Sequence, residues 1–159
     1  TGEVLGLARN FDEALFKGMV ASGAKLKKSG GVFISVRDQD KAEVLEIADR
    51  FASMGFDIYA TAGTANLLNR NMIAASMVRK ISEPHPNIAD LLESGKIDYV
   101  ISTSSHGRDP QKDSVKIRRK SVERAIPCFT SLDTVKALMS CLKMDKNMAD
   151  IDLVNLKEI

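Results

Sequence analysis

The sequence predicts a three-layer α/β sandwich around a central five-stranded, mainly parallel sheet, a Rossmann-like arrangement. Apolar runs of strand length alternate with amphipathic helical segments along most of the chain. The first run, Val32-Phe33-Ile34-Ser35-Val36, is almost continuously apolar, as expected of a parallel strand covered on both faces. Turn and capping residues separate most of these segments. Together, these observations favour strands that alternate with crossover helices.

The first part of the chain lies before this alternation. Asn10 is a suitable N-cap for an amphipathic helix over residues 11–22, and a basic, polar linker follows at residues 22–30. We therefore expect residues 1–30 to be a junction segment with one helix, and residues 31–159 to be the main domain. The chain begins without a signal-peptide pattern, and we expect it to be part of a longer cytoplasmic polypeptide.

The elements of the main domain follow in order. Residues Val44, Ile47, Ala48 and Phe51 repeat at helical spacing, and Gly55 is placed to end that helix. The expected strands span residues 32–36, 56–60, 76–81, 98–102 and 128–130, and the tail at 151–156 alternates like an edge strand. The expected helices span residues 40–54, 64–71 and 87–95, a basic segment capped by Asp113, and a last segment capped by Ser131.

Composition narrows the possible functions. The 159 residues include 23 Lys and Arg against 21 Asp and Glu, a net charge of +2, which argues against a general nucleic-acid binder. No apolar stretch is long enough to predict a transmembrane helix. Cys128 and Cys141 lie in apolar segments and are expected to be free, buried thiols of a reducing compartment. Residues 108–120 include six basic and two acidic residues, so the net charge of this segment alone exceeds that of the whole chain.

Polar and basic residues follow the predicted strands. Ligands of open α/β sheets bind beyond the carboxyl ends of the strands, so these residues are expected to meet at one edge. Hydroxyl groups, a glycine next to a helix start and lysines are suited to one phosphate group. A Thr-rich turn before a helix can also be a simple N-cap. The candidate residues from the strand ends are Ser35, Lys41, Thr61, Gly63, Thr64, Lys80, Ser102, Ser104 and Arg108.

The predicted pocket lacks recognisable catalytic equipment. The chain has no Walker A sequence, no Gly-x-Gly-x-x-Gly and no Cys/His cluster with metal-ligand spacing. His85 lies between two prolines, and His106 lies in the loop after the fourth strand. We expect His85 to be a surface or packing residue and His106 a solvated loop residue near the pocket. A phosphate pocket without an acid, a base or a metal is typical of a sensor.

Several segments resemble the methylglyoxal synthase-like domains. More narrowly, they resemble the C-terminal allosteric domain of the large subunit of carbamoyl phosphate synthetase. The first residues are similar to the junction where the second ATP-grasp half of that subunit ends. The segments that carry the resemblance are Ser35 to Lys41, Ala60 to Ala65, Lys80, Asp113-Ser114, Ile117 to Arg119 and Ile126 to Thr134.

The resemblance implies a regulatory domain without a catalytic site of its own. Its effector would be a nucleotide monophosphate, UMP or in some members IMP, with no other cofactor or metal in this chain. Ser35, Lys41, Thr61, Thr64 and Lys80 match positions that hold the effector phosphate. Ser102 and Ser104 match positions around the ribose and the phosphate. The apolar positions that line the base match Ile81 and Ile117.

The parent enzyme implied by the resemblance is a glutamine-dependent ligase of pyrimidine and arginine synthesis. It uses ATP with magnesium or manganese, and potassium. Its partners would be the ATP-grasp domains of the same chain and a glutaminase small subunit, with a contribution to oligomerisation and no membrane or nucleic acid. Phe129-Thr130-Ser131 stands where some members bind ornithine through Tyr-Asp-Thr, so ornithine activation is not expected.

Three alternatives stay open. Methylglyoxal synthase itself needs a carboxylate base after a strand, whereas the loop after the fourth strand offers no carboxylate before Asp109. The cyclohydrolase domain of purine synthesis shares the Ser-Val and Gly-Thr-Ala features but continues with a His- and Lys-containing segment that this chain lacks. The last alternative is an oligomerisation module with a vestigial pocket.

Overall fold

The structure, a computed structural model, describes residues 3–103, 113–144, 150–151, 153–155 and 157. The chain forms two compact units, one of residues 1–28 with 136–159 and the other of residues 29–135. The limits predicted for the main domain, at residues 31 and 159, stay a prediction. The second unit contains the whole sheet and is the unit that matters for the site.

The five strands form one parallel sheet in the order β3-β2-β1-β4-β5, which confirms the predicted fold class. The strands are β1 (Gly30–Ser35), β2 (Phe56–Thr61), β3 (Ser76–Val78), β4 (Tyr99–Ser102) and β5 (Cys128–Phe129). The helices are α1 (Phe11–Ala21), α2 (Lys41–Ser53), α3 (Ala62–Arg70), α4 (Ile88–Glu93), α5 (Asp113–Glu123) and α6 (Leu132–Lys143). A 3-10 turn, Asp38–Asp40, precedes α2.

The central strands β1 and β4 are buried on both faces. On one face Phe33 and Val100 pack with Ile88 and Leu92 of α4 and with Ile117 of α5, all of them nearly inaccessible to water. On the other face four aromatic rings form a cluster, with neighbouring ring centroids 5.1 to 6.3 Å apart: Phe51, Phe56, Tyr99 and Phe129. These two apolar layers hold the strands rigidly, so the residues at the strand ends have fixed positions.

Two predicted strands differ from the structure. Residues 76–81 form a strand only as far as Val78, because the Lys80 amide donates to the Glu83 carboxylate and the Glu83 amide donates back to the Lys80 carbonyl. That turn takes Lys80 and Ile81 out of the sheet. The predicted edge strand at 151–156 is wrong for its described residues, Ile151 and 153–155, none of which is in a strand.

The first unit contains α1, which begins as the sequence predicts. The Asn10 side chain accepts a hydrogen bond from the Glu13 amide at 2.9 Å and so caps the helix. The Lys17 ammonium lies 3.5 Å from the Glu13 carboxylate and donates to the Leu7 carbonyl at 2.8 Å, which ties the preceding segment to the helix. Among the described helices, none is both long and apolar enough to span a bilayer.

Candidate phosphate site

The carboxyl ends of three neighbouring strands place hydroxyl groups side by side. Ser35 ends β1 and is paired in register with Ser102, which ends β4. Thr61 ends β2 and directly follows Ala60, the register partner of Ile34. The Thr61 hydroxyl donates to the Ser35 hydroxyl at 3.5 Å. Side chains at the same register point to the same face, so the three hydroxyls form a row across the sheet.

A cavity of about 420 Å³ opens at this end of the sheet. A volume of this order suits a small organic ligand and exceeds what a lone phosphate group requires. Its walls come from the residues after β1 to β4 and from the first turns of α3 and α5. The lining residues are Ser35, Val36, Arg37, Asp38, Lys41, Thr61, Gly63, Thr64, Lys80, Thr103, Asp113, Ser114 and Ile117.

The first turn of α3 forms one wall of this cavity. The helix begins at Ala62, two residues earlier than the sequence predicts, so Gly63 and Thr64 lie in its first turn. Thr61 occupies the N-cap position but makes no side-chain capping hydrogen bond within the described chain. The first amides of a helix have no partner in the helix itself and carry the positive end of its dipole. This turn is therefore suited to bind an anion, and the Thr61 hydroxyl is not used to cap the helix.

Lys41 places its charge against the same turn. A Cβ atom added at Gly63 would lie 3.5 Å from the Lys41 ammonium, so that the ammonium is close to the start of α3. The ammonium also pairs with the Asp38 carboxylate at 2.5 Å. Hydrogen bonding and attraction from Lys41 lower the pKa of Asp38, which is therefore ionised at neutral pH.

A second network fixes the segment after β1. The Arg37 guanidinium donates to Asp40 at 2.8 Å, and the Arg37 amide donates to the Thr103 hydroxyl at 3.1 Å. The Thr103 amide donates to the Ser35 carbonyl at 3.1 Å. Burial opposes ionisation of Asp40, but hydrogen bonds from Thr103 and Arg37 outweigh it and lower its pKa. The residues after β1 and β4 are thus tied together where both line the cavity.

The turn after β3 completes the rim. Lys80 lines the cavity from this turn, and the Ser82 hydroxyl donates to the Asp113 carboxylate at 3.0 Å. Asp113 begins α5, so this hydrogen bond joins the turn after β3 to the helix that follows the fourth strand. The cavity therefore has lysines from two segments and a carboxylate on the opposite helix.

Seven of the eleven predicted effector residues line this one cavity: Ser35, Lys41, Thr61, Gly63, Thr64, Lys80 and Ile117. Ile81 is not in the lining and packs against the apolar cluster that contains Ile117. Ser102 is 2% exposed, and its hydroxyl has no hydrogen-bond partner among the described residues. Ser104 and Arg108 lie outside the described residues, as does His106.

The predicted set omits six lining residues: Val36, Arg37, Asp38, Thr103, Asp113 and Ser114. Three of them directly follow β1, and Thr103 directly follows β4, so a strict reading of strand ends would have included them. Asp113 and Ser114 open α5. The signal that could have found them is the helix start itself, because helix N-termini and strand carboxyl ends meet at the same edge of such a sheet.

A larger cleft, of about 740 Å³, lies between β3 and α4. Its lining includes apolar side chains such as Met77 and Leu91 but none of the predicted effector residues. Two basic and two acidic side chains line it, Arg79 and Lys96 against Glu83 and Asp90. Its cations are balanced by the carboxylates, and the start of α4 that lines it is already capped by Asn87 and Asp90, so this cleft is less suited to phosphate than the smaller cavity.

Among the described residues, the cysteines and the histidine outside the cavity offer little reactive chemistry. Burial raises the pKa of the Cys128 thiol, although Arg118 partly offsets this, and burial raises the pKa of Cys141 to about 11. Both cysteines are free and are poor nucleophiles at neutral pH. His85 is exposed, with its Nδ1 2.6 Å from Asp90. The described residues contain no group of three or more His, Cys, Asp or Glu side chains placed to bind a metal ion.

The fold and the cavity define an open parallel α/β domain whose candidate ligand site lies at the carboxyl ends of its strands. The chain belongs to the MGS-like domain family, which residues 43–130 match. This span is more than half of the chain and includes Thr61, Gly63, Thr64 and Lys80, while Ser35 and Lys41 precede it.

The chain is also similar in structure to the methylglyoxal synthase from Elizabethkingia anophelis NUHP1. The TM-score is 0.53, and the match covers 72% of this chain and 80% of that one. The sequence identity is 17%, so this likeness shows the fold alone.

Proposed function

We propose that this chain is an allosteric regulatory domain that binds a nucleotide monophosphate, UMP or IMP, through the cavity at the strand ends. The observation that carries the proposal is the convergence of Lys41, Lys80 and the uncapped start of α3 with the hydroxyls of Ser35 and Thr61. Dipole, cations and hydroxyl donors are the groups that hold a phosphate. The remaining cavity volume leaves room for a nucleoside.

The parent protein in this proposal is the large chain of the glutamine-dependent carbamoyl phosphate synthetase, a cytoplasmic ligase. Membership of the MGS-like family and the sequence resemblance support it. The effector would control carbamoyl phosphate supply for pyrimidine and arginine synthesis. Control requires the effector to bind two states of the parent enzyme with different affinities.

The lining of the cavity favours binding over catalysis. Of its two described carboxylates, Asp38 has a lowered pKa because of Lys41, which makes it a weak base. Asp113 accepts a hydrogen bond from Ser82 at the start of α5. Asp38 is therefore unlike a general base, whose pKa is raised towards neutrality.

A second candidate function is a methylglyoxal synthase-type lyase acting on dihydroxyacetone phosphate. Membership of the MGS-like family, together with the fold shared with a methylglyoxal synthase, supports this candidate, and the same cavity would hold the substrate phosphate. Asp113 would then be the described carboxylate available in the cavity. The two functions differ in outcome, because only the lyase turns over its ligand.

A thermal-shift panel with UMP, IMP, GMP, phosphoribosyl pyrophosphate and ornithine tests the proposal. A ligand that binds only the folded state raises the melting temperature, so UMP or IMP should raise it and ornithine should not. No shift with any nucleotide monophosphate at millimolar concentration would overturn effector binding. In parallel, the chain is incubated with dihydroxyacetone phosphate, and release of methylglyoxal would establish the lyase instead.

A further inference from the structure

The Asp38 carboxylate is already paired with Lys41, the cation that a bound phosphate would need. Asp38 and Lys41 both line the cavity, and their side chains pair at 2.5 Å. The Lys41 ammonium is also the cation close to the start of α3, as its distance from a Cβ at Gly63 shows. An anion bound to the first amides of α3 would therefore meet a lysine that is already paired.

Asp38 and Asp40, the two carboxylates of the 3-10 turn before α2, differ in how firmly they are held. Asp40 is 14% exposed and is bound by Arg37 and by the Thr103 hydroxyl, so it belongs to the network between the β1 and β4 ends. Asp38 is 93% exposed and pairs with Lys41, three residues away. A carboxylate this exposed is fully solvated when it leaves its lysine, so its displacement costs little.

We propose that Asp38 is an internal competitor for the ligand phosphate, an autoinhibitory contact that a bound anion must displace from Lys41. The inference rests on the proposed function only in taking this cavity as a phosphate site. Because the Asp38–Lys41 pair is broken whichever anion arrives, the contact weakens binding of every phosphate ligand by a similar factor. The ratio of the affinities is unchanged, but the affinity for free phosphate falls, so that at a given concentration ligands that gain further contacts elsewhere in the cavity still occupy it and free phosphate does not.

The ionisation of Asp38 provides an independent readout. Lys41 lowers the pKa of Asp38, so the competing carboxylate is charged throughout the neutral range. When a phosphate takes Lys41, the carboxylate loses this partner and gains a neighbouring anion. Both changes raise the pKa of Asp38 towards or above its ordinary value.

The test compares wild-type protein with Asp38→Asn, which keeps the side-chain size and removes the charge. Asp57→Asn is the matched control, since Asp57 is exposed near the opposite end of β2. Thr61 lies four positions after Asp57 along the strand, roughly 13 Å away, which exceeds the Debye length at physiological salt. Inorganic phosphate and UMP are titrated into each protein while the amide signals of Gly63 and Thr64 are followed by NMR.

We expect Asp38→Asn to bind inorganic phosphate about two- to fivefold more tightly and Asp57→Asn to match the wild type. In wild-type protein, saturating phosphate should raise the carboxyl pKa of Asp38. Equal or weaker binding by Asp38→Asn, or an unchanged pKa of Asp38, overturns the inference.

The same titrations separate this inference from the proposed function. One outcome is that phosphate binds, that Asp38→Asn binds phosphate more tightly than the wild type, and that UMP binds no better than phosphate. That outcome supports the competition by Asp38 and refutes the nucleotide effector. If phosphate perturbs neither Gly63 nor Thr64 in any of the three proteins, the cavity is not a phosphate site and both are refuted.

Discussion

Replacing Lys41 with Met is the most informative single substitution in the cavity. The change keeps an unbranched side chain of similar length and removes the ammonium beside the start of α3. The lysine side chain is 32% exposed, so its surroundings lie between bulk water and the protein interior. At about 4 Å, a unit charge pair contributes between about 1 and 4 kcal/mol over that range of effective dielectric constants.

The lower part of that range applies for two reasons: water screens the charge of Lys41, and the Lys41 ammonium is already paired with Asp38. A loss of about 1.5–2 kcal/mol corresponds to roughly 10- to 30-fold weaker UMP binding. Isothermal titration calorimetry at pH 7.5 measures the UMP affinity of each protein. Lys96→Met, an exposed lysine in the turn before β4, makes the same change in net charge and is the control. Equal UMP affinity for Lys41→Met and Lys96→Met would refute the role assigned to Lys41.

Three further predictions concern the structure around the site. Thr61→Val should weaken UMP binding about tenfold while leaving the melting temperature of the free protein nearly unchanged, since Thr61 makes no capping hydrogen bond in the described chain and its hydrogen bond to Ser35 is long, at 3.5 Å; a large loss of stability would show a capping role instead. The lowered pKa of Asp40 stabilises the fold above its unfolded-state pKa, and this contribution is lost as pH falls through the lowered value. The free energy of unfolding is measured in urea at pH 5, about one unit above the ordinary Asp pKa, and at pH 2, about two units below it. Asp40→Asn should lose less stability between these two pH values than the wild type, and identical losses would contradict the stabilising role of the Asp40 carboxylate. Gly31→Ala should cost about 1–3 kcal/mol in urea unfolding, because the added Cβ would lie 2.1 Å from the Lys96 carbonyl oxygen, a backbone atom; unchanged stability would contradict this close approach.

Most of the fold is predictable because its signals are local. The helix α2 follows from apolar residues at Val44, Ile47, Ala48 and Phe51, all of which are buried. Its end follows from Gly55, which has a φ of +83°. The length of β3 is not predictable in the same way. The segment has strand-like composition up to Ile81, but a side chain three residues beyond Lys80 captures its amide and turns the chain.

The candidate site is predictable where one rule suffices and not where partners come from distant segments. The strand-end rule finds Ser35, Thr61 and Lys80, since it needs only the positions of the strands. The same rule includes Thr103, but it does not predict the hydrogen bonds of Thr103 to Ser35 and Arg37, which depend on the pairing of β1 with β4. That pairing joins residues more than 60 positions apart, and periodicity carries no information about it.

The central claim is that the phosphate of a nucleotide monophosphate binds in the cavity at the strand ends. A crystal structure of the chain grown with saturating UMP tests it most directly. The account predicts the phosphate within hydrogen-bonding distance of Lys41 and the first amides of α3, with Asp38 moved away from Lys41. A nucleotide bound in the larger cleft between β3 and α4, or an empty cavity at saturating UMP, would contradict it.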